Sequence, residues 1–302
     1  MLTAVIGVVA ALIFGSADFL GGMASRYLGP LRATAVAAWI GLIILLVAQP
    51  FVGGSWSASA LLWGGLSGVT GALAISLLYA CLAVGPMSIL SPLTAVVSAI
   101  VPMTWGLAHG DRFTWTGYLA LGLALVAVVL VGFVPEKGAV RPSGAALLMA
   151  VGSGLMIGAF LILIDLAPDD SGLVPLIANR AVNGVIMVST LAVLAGIAAR
   201  RRSASGASAS VPSPRAAAAG ITRPLRIGLA FAIGCGVVDA LANALLLLGV
   251  RIGDLSVIAV LTALYPAGTV LLAATVLRER IAPVQWAGLV LALAAAGMLA
   301  LA

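Results

Sequence analysis

The chain has 302 residues, 63% hydrophobic and 8% charged, with a net charge of +6; a soluble domain carries roughly 25% charged residues. So little polar surface excludes a water-soluble fold of this size, and the apolar runs are long enough to cross a ~30 Å hydrocarbon core as ~20-residue helices. A β-barrel is excluded as well, because its ~10-residue strands alternate polar and apolar residues, whereas these runs are continuous and rich in Ala, Leu and Gly.

Ten spans are predicted, near 2–23, 32–51, 58–83, 87–108, 114–133, 143–166, 173–199, 225–249, 253–277 and 283–301. The opening run MLTAVIGVVAALIFG has no basic flank and no small-residue cleavage site, which makes it an uncleaved first helix rather than a signal peptide. Breaks between spans carry turn chemistry at Gly29-Pro30, Gly53-Gly54, Gly85-Pro86, Gly110-Asp111, Pro135 to Pro142 and Pro168 to Gly172. Residues 200–224 form the long linker, and their Ser, Ala and Pro content predicts disorder. Arg200, Arg201, Arg202, Arg215, Arg223 and, just past it, Arg226 concentrate in this hydrophilic segment, and they are expected against anionic headgroups on the cytoplasmic side. No aromatics interleave these arginines, and nucleic acid is not among the expected partners. Cys81 and Cys235 fall inside apolar blocks and read as buried structural thiols.

The sequence repeats at a shift of 168 residues. Gly85, Ser88, Leu93, Thr94 and Ala95 meet Gly253, Ser256, Leu261, Thr262 and Ala263, and the pair Asp111-Arg112 meets Glu279-Arg280. LALVA at 123–127 also meets LALAA at 291–295. Two halves follow, 1–134 and 143–302, of five spans each. An odd number of spans forces opposite insertion, so the expected fold is an all-α membrane bundle of two inverted five-helix repeats with a substrate site between them. Loops after odd-numbered spans carry Arg26, Arg32, Lys137, Arg141, the six linker arginines, Arg278 and Arg280, whereas loops after even-numbered spans carry Arg112 and Arg251. The positive-inside rule puts the odd loops in the cytoplasm and both termini outside, in a bacterial-type inner membrane.

GSADFLGGMASR at 15–26, GPMSILSP at 85–92 and above all LRERIAPVQWAGLVLALAAAGMLAL at 277–301 resemble the drug/metabolite transporter superfamily, as two tandem EamA-type modules. Arg180, five residues after Pro175, matches an arginine seen early in the second helix of such modules; the first half has Ala there, and Asp111 stands where the second half has Glu279. The resemblance implies a secondary transporter moving metabolites, amino acids or drug-like compounds, usually outward.

Charges inside spans carry the chemical information, because each costs at least ~2.5 kcal/mol at the bilayer centre on insertion scales. Asp18 lies deep in the first span, and Asp239 lies mid-span in the eighth with Asn243 one turn later. These carboxylates are expected to line a polar cavity and to bind a proton or a cationic substrate group. Arg180, with Asn183 three residues on, is the cation well inside a span; it holds a substrate carboxylate, pairs with Asp165 or Asp239, or snorkels to the headgroups. Pro92 and Pro102 in the fourth span and Pro266 in the ninth free carbonyls near Ser91, Thr94, Thr262 and Tyr265. Trp39 and Tyr79 are inside spans and are candidates to stack on a substrate, while Trp56, Trp115 and Trp286 mark interfacial belts.

The function expected is a proton-coupled exporter working by alternating access, with a facilitative uniporter or exchanger as the alternative. A membrane-embedded enzyme is a third class, but the sequence has one His, no Cys–His arrangement, no Gly-rich phosphate loop and no metal-ligand set. No enzyme activity, cofactor or metal is expected. The expected partners are a small-molecule substrate, the lipid bilayer, protons as coupling ion and, as one option, a second copy of the chain in a homodimer.

Overall fold

The computed structural model describes residues 1–84, 87–133, 142–204, 222–278 and 280–301. The expected turn at Gly85-Pro86, most of the loop from Pro135 to Pro142, residues 205–221 of the linker, Glu279 and the side chains of Tyr79 and Ser88 lie outside the described residues. Hydrocarbon offers no partner to backbone N–H and C=O groups, so long apolar segments satisfy them within helices. The chain forms α1 (Leu2–Leu28), α2 (Pro30–Val52), α3 (Ala58–Val84), α4 (Met87–His109), α5 (Trp115–Gly132), α6 (Gly144–Asp165), α7 (Val174–Ala204), α8 (Thr222–Ile252), α9 (Leu255–Thr262), α10 (Tyr265–Val276) and α11 (Pro283–Leu301). Among the described residues ten segments are long and apolar enough to cross a membrane, with α9 and α10 together making the ninth.

Helix ends follow the predicted turn chemistry. Gly29, Gly53, Gly110 and Gly172 take positive φ at span boundaries, where a residue without Cβ is unstrained. Pro30 occupies the first turn of α2, and the hydroxyls of Thr114 and Ser143 accept the backbone N–H of Gly117 and Ala146 at the starts of α5 and α6.

Two expectations are corrected. The linker expected at 200–224 is shorter, because α7 continues through Ala204 and α8 begins at Thr222; each has 31 residues, about 46 Å of helix, so their arginine-bearing ends extend past the hydrocarbon core. The ninth span, expected as one helix over 253–277, is jointed. Pro266 has no N–H to give the Thr262 carbonyl and would crowd it. The chain turns through Ala263 and Leu264, with the Leu264 N–H donating to Leu261 O at 3.1 Å and the Ala267 N–H to Leu264 O at 2.9 Å. The fourth span holds Pro92 and Pro102 without a break.

Numbered as ten spans, the first packs on the eighth and the ninth, the sixth on the third and the fourth, the second on the eighth, and the seventh on the third. Advancing every number by five turns each pairing into another of the set; second–seventh, fourth–ninth and fifth–tenth map onto themselves. The contacts are built on Ala and Gly, as lipid bundles require for close approach. A Cβ on Gly64 would strike the backbone of Pro175, and one on Gly288 the backbone of Val131. Large apolar side chains such as Leu62, Leu148, Val193, Val290 and Leu293 are exposed on the outside, toward lipid.

The face bearing the loops after even-numbered spans is stitched by polar contacts. The Asp111 carboxylate accepts the Ser256 N–H at 3.0 Å at the start of α9, and the Ser256 hydroxyl donates to Met103 O at 2.9 Å. Gln49 accepts the Leu173 N–H at 2.7 Å and donates to Gly53 O at 2.9 Å. Ser55 donates its N–H and hydroxyl to Asp170, and Arg251 donates to Ser171 Oγ at 2.9 Å. Toward the opposite face, Gln285 Nε2 donates to Val131 O at 3.3 Å and ties the tenth span to the fifth.

Candidate functional site

Three of the expected charged residues meet in mid-membrane. Arg180, early in α7, extends over α2 beside Gly41: a Cβ there would lie in ordinary contact with it, 3.6 Å from Arg180 Cδ. Its guanidinium is ion-paired with Asp239 Oδ2 on α8. Of the partners open to Arg180, the structure selects Asp239. Asn243, one turn along α8, donates to Asp239 Oδ1 at 3.2 Å and to the Asp239 carbonyl at 2.8 Å. Asp239 is therefore neutralised on one oxygen and hydrogen-bonded on the other.

Asp18 is different. It lies on α1 within electrostatic reach of Asp239 and of Tyr265 on α10. Yet among the described residues its carboxylate has neither a hydrogen-bond donor nor a cation against it. Helical geometry shows where it points. Gly15 and Gly21 are each three residues away, about 60° to either side of it around α1. A Cβ on Gly15 would run into the backbone of Tyr265, Gly268 and Thr269, and one on Gly21 would sit 3.2 Å from Cys235 Sγ on α8. Asp18 thus points between α10 and α8, into the bundle, and it is nonetheless exposed. Gly22, one turn further on the same face, is exposed with no atom within 4 Å of the place its Cβ would occupy. The carboxylate and the Gly22 position thus share an unfilled stretch of this helix face.

The stripe is packed shut at one end. Ala4, Gly7 and Ala11 continue the same stripe of α1 toward the stitched face, and all are buried, with Gly7 against Leu261 and the alanines in the cluster holding Val260 and Leu264. The stripe opens at Asp18 and Gly22, on the side of the arginine-rich loops.

The other candidates separate by role. Tyr265 begins α10, within electrostatic reach of Asp18. Thr262, at the end of α9, is buried and its hydroxyl has no hydrogen-bond partner among the described residues. Asn183 is buried with an unpartnered Oδ1 and its amide nitrogen beside Gly71 of α3. Thr94 instead donates to Leu90 O and Ala150 O, a tie between α4 and α6. Pro92 packs on Gly132 and Pro102 on Gly158, while Pro266 marks the joint of the ninth span. Ser91 is half-buried on α4, and Trp39 lies across Gly184 of α7; neither is brought against the charged cluster. Cys235, Gly22 and Gly41 join the site without having stood out as site residues in sequence. Cys235 precedes Asp239 by one turn, and 4, 7, 11, 15, 18 and 22 run at helical spacing, so both were visible as patterns.

Outside the spans, burial and the nearby charge of Asp111 hold the Asp254 carboxyl above its ordinary range. Among the described residues no group of three or more His, Cys, Asp or Glu has the arrangement to hold a metal ion.

The EamA-like transporter family model matches residues 144–301. The chain belongs to the EamA-like transporter family. It is accordingly a multi-pass membrane transporter of the drug/metabolite type. A solved structure described only as the crystal structure of a protein covers 99% of this chain and 97% of its own at a TM-score of 0.69 and 15% identity, a likeness of fold alone. No curated protein matches the chain.

Proposed function

We propose that this EamA-like transporter is a proton-coupled secondary exporter of small molecules in the cell's inner membrane. Two five-helix modules, 1–134 and 143–302, rock against each other to expose a central site alternately to each side. The observation that carries the reading is Asp18, a carboxylate inside a span that has no partner among the described residues and lies where a helix stripe, buried toward one end, becomes exposed. A bare charge there costs about 2.5–3.5 kcal/mol on insertion scales, and a proton or a passenger removes that cost. Pairings that exchange under a five-span shift support two equivalent modules, since an odd repeat inserts inverted and places its site at the interface. The arginines near the open end support a cytoplasmic entrance.

The test uses purified protein in vesicles loaded with a pH-reporting dye. Compounds enriched in the medium of an overexpressing strain relative to a deletion strain supply the transported pool. An imposed pH gradient accelerates their flux and each turnover moves protons; Asp18→Asn abolishes the acceleration. Flux that ignores the gradient rejects proton coupling and leaves a facilitative carrier.

A further inference from the structure

The joint of the ninth span withholds the usual partners from two backbone carbonyls. Pro266 has no N–H for the Thr262 carbonyl, and the Ala267 N–H turns to Leu264 O at 2.9 Å instead of the Ala263 carbonyl. Ala263 and Leu264 keep near-helical angles, φ −63° and −75° with ψ −9° and 7°, so both carbonyls still point along the axis past the end of α9. The Thr262 hydroxyl is a third oxygen. Thr262 is 8% exposed, and its hydroxyl has no hydrogen-bond partner among the described residues. The first half shows the opposite state at the positions 168 residues earlier. Thr94 gives its hydroxyl to Leu90 O and Ala150 O, and Ser98, standing where the second half has Pro266, leaves α4 whole.

Thr262 also stands at a boundary inside the bundle. On α9 it follows Leu255, Ile258 and Ala259 at helical spacing, and those three pack with Leu45 of α2, Leu176 of α7 and Leu247 of α8 in one buried cluster. Arg180 follows Leu176 by four residues and Asn243 precedes Leu247 by four. One turn past the cluster, apolar packing therefore gives way to polar side chains on three spans, and the joint lies at that step. A broken helix at membrane depth persists only where it is buried in protein or lines water. Half-helix ends with freed carbonyls are where transporters hold ions.

Three neutral oxygens on two adjacent residues select the occupant. A proton finds no base among them, and calcium or magnesium is held through carboxylates, of which residues 262–266 have none. An alkali cation is held by carbonyl and hydroxyl oxygens alone, and the C-terminal end of α9 adds up to about half a negative charge from its dipole. Going beyond the transport reading, we infer that the joint binds one sodium ion through the Thr262 hydroxyl and the carbonyls of Thr262 and Ala263, with water completing its shell. The ion takes up the oxygens that Pro266 leaves free and stiffens the joint. None of these oxygens titrates, so the ion and any proton at Asp18 use separate atoms.

The experiment is direct binding to the detergent-purified full chain at constant pH and ionic strength, with sodium chloride replacing choline chloride. Melting temperature and the line width of the sodium NMR signal both report saturable binding of sodium. Thr262→Val swaps the hydroxyl for a methyl group of the same shape. It leaves the sodium-free melting temperature unchanged or raised, because a buried hydroxyl without a partner is removed. It weakens sodium binding about tenfold or more, the scale of one lost contact to a charged group. Pro266→Ala returns an N–H to the Thr262 carbonyl and weakens sodium binding likewise. Thr262→Ser keeps the oxygen and keeps the binding, which separates loss of the ligand from loss of the fold. An equal response to choline and sodium, a response to sodium that does not saturate, or binding that survives Thr262→Val or Pro266→Ala each overturns the inference. No gradient and no passenger enters the assay, so its failure leaves the proton-coupled reading standing, and a negative flux test leaves sodium binding standing.

Discussion

The guanidinium of Arg180 is closed onto Asp239 across the seventh and eighth spans, with its stem passing over Gly41 of the second span. Removing either partner strands a charge in a low-dielectric interior, which costs about 3–5 kcal/mol, whereas removing both together is close to neutral. Arg180→Met and Asp239→Asn are each expected to lower the melting temperature in detergent, and the double variant to recover most of the loss. Additive losses would mean that the pair contributes nothing as a pair.

Gly15 and Gly22 make a contrasting couple on one helix. Gly15→Leu drives a side chain into the backbone of α10 and should cost at least about 1–3 kcal/mol, as overpacking does, visible as loss of monodisperse protein. Gly22→Leu meets open space and should leave the melting temperature unchanged or raised while slowing transport by filling the cavity. Equal damage from both would place Gly22 in a packed contact.

Sidedness can be read with single cysteines in a background carrying Cys81→Ala and Cys235→Ala. A cysteine at position 22 should react with a membrane-impermeant maleimide offered on the side of the arginine-rich loops. One at position 11, on the buried part of the same stripe, should resist reagent from either side.

Asp111 ties the turn after the fourth span to the start of the ninth, 145 residues away. Losing a helix cap of this kind costs about 0.5–2 kcal/mol. Asp111→Ala should loosen the stitched face, lower the melting temperature and raise labelling of a cysteine at position 11. Asp111→Asn, which still accepts the Ser256 N–H, should retain most of both properties.

Asp254 carries the pH prediction. Its folded-state carboxyl is held above the ordinary value, so the ionised form weakens the fold. That weakening is present above the raised value, shrinks as pH falls through it, and is gone below the unfolded value of about 3.9. Asp254→Asn should therefore raise the melting temperature at pH 7 and have little effect at pH 3.5.

Hydropathy and turn residues make the ten spans readable, because lipid imposes one backbone solution on every apolar run. The cost of charge in hydrocarbon likewise singles out Asp18, Arg180 and Asp239 by residue type and position alone. What sequence does not disclose is partnership. Arg180 has Asp165 and Asp239 as equal claimants, and only packing across α2 decides between them. The joint after Thr262 is equally hidden. Pro92, Pro102 and Pro266 look alike in sequence, but the first two lie in a helix that stays whole. The helical ends at 200–204 and 222–224 look like linker because arginine and serine content says nothing about a helix that outlasts the bilayer.

The unmatched carboxylate on α1 has an electrical consequence. In the proton-coupled reading, a deprotonated Asp18 with the Arg180–Asp239 pair closed leaves one negative charge at the centre, and moving one elementary charge through the full membrane potential changes its energy by about 2.3 kcal/mol per 100 mV. With the interior negative, voltage drives the vacant carrier toward its outward-facing form. The proton that meets it there neutralises it, so the return to the cytoplasm is electrically silent. Membrane voltage would then act on the vacant, deprotonated molecule and bias where it waits between cycles.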